Sequence, residues 1–459
     1  SDNGYYPANK VLDNVVTDDL EFYIDSRNAV SYPRSGNDIL DLSGDANDGT
    51  LENGVGFDET VEALTFDGVD DFVQMASNII PPTGAFSMEF LYQISSIGGR
   101  GGMFERKSSS PYNGALIGQG GSGNWAFQVN NGSQNLTYTS TYPTTNKWYH
   151  DVGVYDGVNN IKFYRNGVLL GSVTGATIGN IDSGGTRDNL RLMRRDSNSP
   201  ELEGKVASSK VYTKQLSTAE VFQNYFQGPI TTDDLVFSLD ASNLVSFEPD
   251  TTAVYNLKGP FSAAAGDAVL NNGVSYSDSG NGSWSFGGGG SPRNTYIRAG
   301  GSPGPFDLPG WDGYTIDVWV RRTAFGTWTS GTTNYDGIWN YYWNHSLSFS
   351  GAHTGLNYIN GTGLSAYTIQ MDRWYNVIMT HDNNSASNNH KVYIDGELQQ
   401  TSTVANPTLS SGNIRSFYIG NWDASWSMVG EIGILQIYDR YITDSEASQN
   451  YNAYKKKYN

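Results

Sequence analysis

The sequence predicts an all-β protein built from two tandem sandwiches of the jelly-roll type, each closed by one short C-terminal helix. Three observations carry this. The chain holds 54 Gly and 30 Tyr in 459 residues and is only 16% charged, the composition of strands and loops rather than long helices. Short Val/Ile/Tyr/Phe runs alternate with Gly/Asn/Ser/Asp clusters at spacings of roughly 8 to 12 residues. The second half also repeats the first, motif by motif.

The repeat sets the domain organisation. "TDDLEFYIDSRNAVSYP", from Thr17, returns as "TDDLVFSLDASNLVSFEP", from Thr232. "KWYHDVGVYD", from Lys147, returns as "RWYNVIMTHD", from Arg373, and "VYTKQLSTAEVFQNY", from Val211, as "IYDRYITDSEASQNY", from Ile437. A unit of this length is a whole domain with its own core. Gly228-Pro229 punctuates the chain between the copies. The expected division is an arm over 1–16, a first jelly roll over 17–228, a second over 229–454 and a basic tail over 455–459. Two readings stay open for the arm, fraying or docking on a neighbouring subunit.

Within each copy the local chemistry is legible. "FSMEFLYQI" (Phe86 to Ile94) and "YTIDVWVRR" (Tyr314 to Arg322) alternate as half-buried strands. "FYRNGVLLGS" and "VYIDGELQQT" place Asn-Gly and Asp-Gly between β-prone runs, a strong hairpin signal. Ser217 with Glu220, and Thr443 with Glu446, are capping boxes that start the terminal helices.

The net charge of −19 argues against nucleic acid and anionic membranes as partners. The absence of Cys excludes disulfides, thiolate metal sites and Cys nucleophiles. No stretch approaches the roughly 18 apolar residues of a membrane span. The polar opening "SDNGYYPANK" shows no export segment; removal of one before Ser1 and a cytoplasmically made chain both stay open.

The ordered series "LEFYIDSRNAVSY", "FDGVDDFV", "FSMEFLYQI", "KWYHDVGVYDG", "IKFYRNGVLLGS" and "EGKVASSKVYTKQLSTAEVFQNY" resembles the laminin-G-like, concanavalin A-like lectin/glucanase family, over almost the whole chain. The resemblance implies two curved antiparallel sheets per domain, and binding of carbohydrate or protein ligands rather than chemistry, often with calcium at the sandwich rim. Openings such as "LVFSLDASNLVSFEP" also resemble virion structural proteins of tailed bacteriophages.

Two constellations stand out. "FDGVDDFV" gathers Asp67, Asp70 and Asp71 around Gly68, while the second copy reads "FGGGGSPRNTYI" and has lost all three acids. The leading reading is a turn, since Asp and Gly suit turn geometry; a calcium site in the first domain only is the other. "YDGIWNYYWNHSLSF" (Tyr335 to Phe349), with Trp328 just before it, concentrates aromatics and amides. Trp339 and Tyr341 read as core by strand alternation. Trp328, Tyr335, Tyr342, Trp343 and Asn344 are the candidates for stacking on and bonding to a sugar.

A glycosidase needs two carboxylates roughly 5 to 10 Å apart. "MEFLYQI", "TIDVWV" and "GEIGIL" each offer one acid, expected to face solvent, and no catalytic spacing joins them. The five His show no metal-ligand spacing. The expectation is a non-enzymatic virion surface protein of a tailed phage, a capsid decoration or tail/fibre-associated protein. Its partners would be other virion structural proteins, itself, and host or environmental glycans. The alternatives are a secreted or cell-surface carbohydrate-binding module and, third, a glycoside hydrolase.

Overall fold

The computed structural model describes residues 14–107, 109–119, 124–195, 201–258, 268–287, 295–299, 306, 308, 310–324, 335–342, 345–350, 355–358, 362–364, 367–404, 417–421 and 427–458. The chain divides into two compact units between Gln227 and Gly228. Each unit is an antiparallel β-sandwich of two sheets, with eight strands per sheet among the described residues.

In unit 1 the first sheet is centred on Phe86–Ile94, which pairs with Trp148–Tyr155 on one side and Glu203–Tyr212 on the other. Leu20–Asp25 and Ala63–Asp67 share the far edge of Glu203–Tyr212, one after the other. The second sheet runs in the order Asn135–Ser140, Trp125–Asn131, Asn113–Gln119, Gly102–Arg106, Arg191–Leu192, Phe72–Met75, Gly49–Glu52, Asp38–Ile39. The core lies between the sheets. Phe86, Met88, Phe90, Tyr92 and Ile94 point into it and meet Trp125, Phe127 and Val129. Burying side chains of this size stabilises the unit by about 1.5–3 kcal/mol each.

All nine residues of Phe86–Ile94 are buried, so the half-buried expectation is corrected. The face that carries Ser87 and Glu89 lies under the terminal helix α1, Thr218–Phe226. Leu216 N–H donates to Ser87 Oγ at 3.0 Å, and Val152, Tyr212, Leu216 and Val221 pack together there. Unit 2 repeats this around Gly313–Arg322, which pairs with Trp374–Asp382 and Val429–Tyr438 and lies under helix α2, Asp444–Tyr458.

Both capping boxes form. Glu220 N–H donates to Ser217 Oγ at 3.3 Å, and Ser217 N–H to Glu220 Oε2 at 2.7 Å. Thr443 and Glu446 make the same pair at the same distances. The hairpins form as well. Asn166 and Gly167 take φ of 50° and 76°, and Asp395 and Gly396 of 52° and 78°; a two-residue turn matching the strand twist requires both to be left-handed.

Two expectations about the chain ends change. Of the arm, residues 1–13 lie outside the described residues. Val15 and Val16 are buried, and Gln223 of α1 donates to Asn14 O at 2.9 Å, so the arm's end docks on its own unit. Lys455 to Lys457 are not a separate tail. They lie in the last turn of α2, which ends with Tyr458 stacked on Trp319 at 4.6 Å and against Trp374 at 4.7 Å.

Candidate functional site

The acidic turn sits at the rim of unit 1. Asp67 ends a strand of the first sheet and Phe72 starts one of the second, so the turn crosses between sheets. One carboxylate oxygen from each of Asp67, Asp70 and Asp71 lies within 4.8 Å of the others, with Asp71 buried and the other two exposed. Asp71 Oδ2 accepts the Asp67 N–H at 3.0 Å, and Asp67 Oδ1 accepts the Val69 N–H at 2.8 Å. Asn53 Nδ2 donates to Asp70 O at 3.0 Å. Gly68 has φ of +77°, and a Cβ there would come 2.9 Å from Glu203 Cβ, so glycine is required twice over. Burial raises the Asp71 carboxyl, and the charges of Asp67 and Asp70 push the same way. Among the described residues these three are the ones grouped closely enough to hold a cation. Three single oxygens fall short of the roughly six to eight that calcium takes, and two of the acids are already bound into the turn.

The aromatic segment divides as strand alternation requires. Trp339 is fully buried and Tyr341 nearly so, and both lie in the core of unit 2. Of the sugar candidates, Trp328, Trp343 and Asn344 lie outside the described residues. Tyr335 and Tyr342 bound the strand Tyr335–Tyr342, and their side chains lie outside the described residues as well.

The strand acids expected to face solvent do not. Glu89, Asp317 and Glu431 are all buried. Glu89 is the centre of a node under α1. Lys210 Nζ lies 2.5 Å from its Oε1, His150 Nε2 lies 3.1 Å from the same oxygen, and Asn224 Nδ2 donates to its Oε2 at 2.5 Å. Asn224 also donates to Tyr212 Oη at 2.9 Å and accepts the Val16 N–H at 2.8 Å. Burial alone would raise the Glu89 carboxyl; Lys210 and His150 overcome this and hold it well below the usual carboxylate range.

Unit 2 builds the same node from different residues. Asp317 accepts from Asn376 Nδ2 at 2.6 Å and from Asn450 Nδ2 at 3.1 Å. Asn450 donates to Tyr438 Oη at 2.9 Å and accepts the Thr231 N–H at 2.9 Å. Among the described residues no cation is paired with it, and burial pushes the Asp317 carboxyl up to about 6 against the two carboxamide bonds. Sequence reasoning missed Asn224 and Asn450. The available signal was "QNY", present in both terminal helices while the residues around it change.

Three other buried acids are also engaged. Asp151 takes a two-pronged Arg165 at 2.8 and 2.9 Å, with Tyr92 Oη and Trp125 Nε1 each at 2.8 Å. Glu105 accepts the Ile79 and Ile80 N–H groups and faces Arg187 at 2.7 Å. Asp336 pairs with Arg322 at 2.5 Å.

Comparison with known families decides the affiliation. The Laminin_G_3 model, described as the concanavalin A-like lectin/glucanases superfamily, matches residues 67–222 and 289–448, more than half of the chain. The chain belongs to this family. Both of its jelly rolls carry the match, and the family's two-sheet sandwich is the architecture of each unit.

No curated protein sequence matches the chain. Among solved structures it is similar to domain 4 of AbnA, a GH43 extracellular arabinanase from Geobacillus stearothermophilus in complex with arabinotriose. That likeness has 17% identity over 47% of this chain and 97% of the other, with a TM-score of 0.32. The binding domain of botulinum neurotoxin DC in complex with SialylT matches at 11% identity over 94% of this chain and 98% of the other, TM-score 0.41. The botulinum neurotoxin serotype C1 binding domain matches at 13% over 94% and 98%, TM-score 0.39. At these values the likenesses bear on no residue of this chain.

Proposed function

We propose that the chain is a non-catalytic, lectin-like protein that binds carbohydrate. Its family holds lectins and glucanases, and the engagement of the buried acids supports the lectin-like reading. Glu89, Asp151, Glu105, Asp317 and Asp336 each hold a helix, a strand or a loop in place. Hydrolysis needs a paired acid and base open to a scissile bond, and carboxylates spent on buried partners do not serve it. The test is a glycan array of the full chain beside a polysaccharide panel assayed for reducing ends. Binding without release of reducing ends is expected; release of reducing ends by the pure protein overturns the reading.

We further propose that this binding operates on the virion surface of a tailed phage, with other virion proteins as partners. The support is the tandem arrangement of two jelly rolls, the resemblance of their openings to virion proteins, and an acidic surface at −19 that suits neither nucleic acid nor anionic membrane. Weak sites repeated on an assembly gain through effective concentration. Immunogold labelling of purified particles is expected to decorate them. Particles that stay unlabelled, with the protein instead cell-bound or secreted, favour a free carbohydrate-binding module.

A further inference from the structure

Lysine is among the residues least often fully buried, and where it is buried it is paired. Lys210, on the strand Glu203–Tyr212, stands opposite Glu89. The two are 4% and 1% exposed, and Asn224 of α1 is 4% exposed. Lys210 Nζ lies 2.5 Å from Glu89 Oε1, and Asn224 Nδ2 lies 2.5 Å from the other oxygen, Oε2. One carboxylate therefore holds an amine and a carboxamide side by side. Val16, Val152, Tyr212, Leu216 and Val221 pack together on this face, and the centre of the Tyr23 ring is 4.9 Å from Nζ. The three polar groups meet away from water.

Unit 2 provides an internal control. Gln436 stands opposite Asp317 there, as Lys210 stands opposite Glu89, and Asn450 of α2 donates to Asp317 as Asn224 does to Glu89. The same helix is held on the same sheet without the lysine. Burying an ion pair carries a desolvation cost, and unit 2 shows that anchoring the helix does not require one. Sequences break such a rule chiefly where a site requires it.

We propose that Lys210 and Asn224 join in an isopeptide bond, with Glu89 as the catalytic residue. The node described above is the state before linkage. Glu89 accepts a proton from Lys210 across their contact, which frees the lone pair of Nζ. The four-carbon stem of the lysine lets Nζ close on Cγ of Asn224, and the lone pair forms the new C–N bond. Negative charge then gathers on Asn224 Oδ1, which already accepts the Val16 N–H at 2.8 Å; a fixed backbone donor at that atom stabilises the charge as it develops. Glu89 returns the proton to Nδ2, the Cγ–Nδ2 bond breaks with its electron pair on nitrogen, and ammonia leaves. Glu89 then takes the second Nζ proton, so a neutral amide is left beside a protonated carboxyl. Holding the reacting groups on one carboxylate supplies the proximity that the step needs. The chain has no Cys, and this bond does for α1 what a disulfide would do, closing a ring from 210 to 224 that narrows the unfolded state. The reaction runs once per chain and turns over no substrate, so it stands apart from the carbohydrate reading.

The test is the denatured mass of the full chain after storage at neutral pH, with a tryptic map. The unaltered chain is expected to be lighter than its sequence by one ammonia. The peptide that carries Lys210 is expected to stay joined to the one that carries Asn224, although trypsin cuts at Lys214 between them. Lys210→Arg keeps a cation beside Glu89 and is expected to show the full mass while folding, as read by circular dichroism. Glu89→Gln is expected to show the full mass as well; a link that survives in it overturns the role given to Glu89. An unaltered chain of full mass overturns the bond. So does an ammonia lost elsewhere, such as by closure of Asn53 on Gly54, which leaves the two peptides unjoined and persists in Lys210→Arg.

Discussion

The Asn450 carboxamide donates to the buried Asp317 carboxylate at 3.1 Å and to Tyr438 Oη at 2.9 Å, while its oxygen accepts the Thr231 N–H at 2.9 Å. One side chain therefore ties three things together: the terminal helix, the central strands and the segment by which the chain enters the unit. Asn224 does the same in unit 1 with Glu89, Tyr212 and Val16.

Replacing either Asn by Ala removes at once a hydrogen bond to a buried carboxylate, one to a tyrosine hydroxyl and one from a backbone N–H. Bonds of this kind are worth about 0.5–3 kcal/mol each, so a loss of about 3–5 kcal/mol is expected for the unit that carries the change. Hydrogen exchange on the full chain reads the units separately. Asn224→Ala should speed exchange in α1 and leave α2 alone, and Asn450→Ala the reverse. Unchanged protection of the helix in the altered unit would show that the node does not anchor it.

The two nodes should respond differently to pH. The Asp317 carboxyl is pushed up to about 6 from the ordinary 3.8, so folded unit 2 keeps a proton that the unfolded chain releases between those values. Stability from this group is complete below about pH 4 and is lost as the pH rises through about 6. A shift of about two units is worth roughly 3 kcal/mol. Asp317→Asn removes the titration and should stabilise unit 2 relative to the unaltered chain at pH 7.5, with the advantage gone at pH 4. Parallel stability curves for the two proteins from pH 4 to 8 would refute this.

Glu89 has the opposite sign. Lys210 and His150 hold its carboxyl low, so its contribution is present at neutral pH and is lost only on strong acidification. Glu89→Gln leaves Lys210 buried without its counter-charge and should cost about 3–5 kcal/mol at pH 7. In unit 2 Gln436 stands opposite Asp317 as Lys210 stands opposite Glu89, so the triple change Glu89→Asp, His150→Asn, Lys210→Gln rewrites the node as unit 2 has it, and should cost less than Glu89→Gln alone. Urea unfolding of the full chain measures both; equal losses would mean that the residues of the node are not coupled.

What was legible in the sequence was local. The hairpins at Asn166-Gly167 and Asp395-Gly396 and the two capping boxes are set by neighbours within four residues, and the structure forms all of them. The acids misled because alternation describes a strand and not what later covers it. Glu89 reads as solvent-facing until α1, more than a hundred residues on, lies over it. Asp317 fails in the same way under α2. Of the aromatic segment, alternation gave Trp339 and Tyr341 to the core.

Calcium is expected to do little at the acidic turn. Asp67 and Asp71 already accept backbone N–H groups from within the turn, and a trio of single oxygens forms an incomplete shell. The melting temperature of the full chain should be the same in EDTA and in 0.1 mM calcium, to within about one degree, since a ligand below its Kd adds almost nothing. A rise of several degrees that Asp70→Ala abolishes would establish a calcium site. Gly68→Ala should destabilise with or without calcium, because the strain at φ of +77° and the approach to Glu203 belong to the turn itself.

The end of α2 provides the last contrast. Tyr458 is 5% exposed, with its ring stacked on Trp319 and tilted against Trp374. Among the described residues its Oη has no hydrogen-bond partner, and a Cβ at Gly433 would stand 2.1 Å from that atom. Glycine at 433 therefore leaves the room that the ring occupies. Tyr458→Ala opens a cavity between two tryptophans and should cost about 3–5 kcal/mol. Tyr458→Phe removes only an unpaired hydroxyl and should be neutral or slightly stabilising. Gly433→Ala should approach the loss seen for Tyr458→Ala, and combined with that change should cost less than the two losses added, because the new methyl enters the space the ring has left. Thermal unfolding of the four proteins tests the set; strictly additive losses would mean that Gly433 and Tyr458 do not share this space.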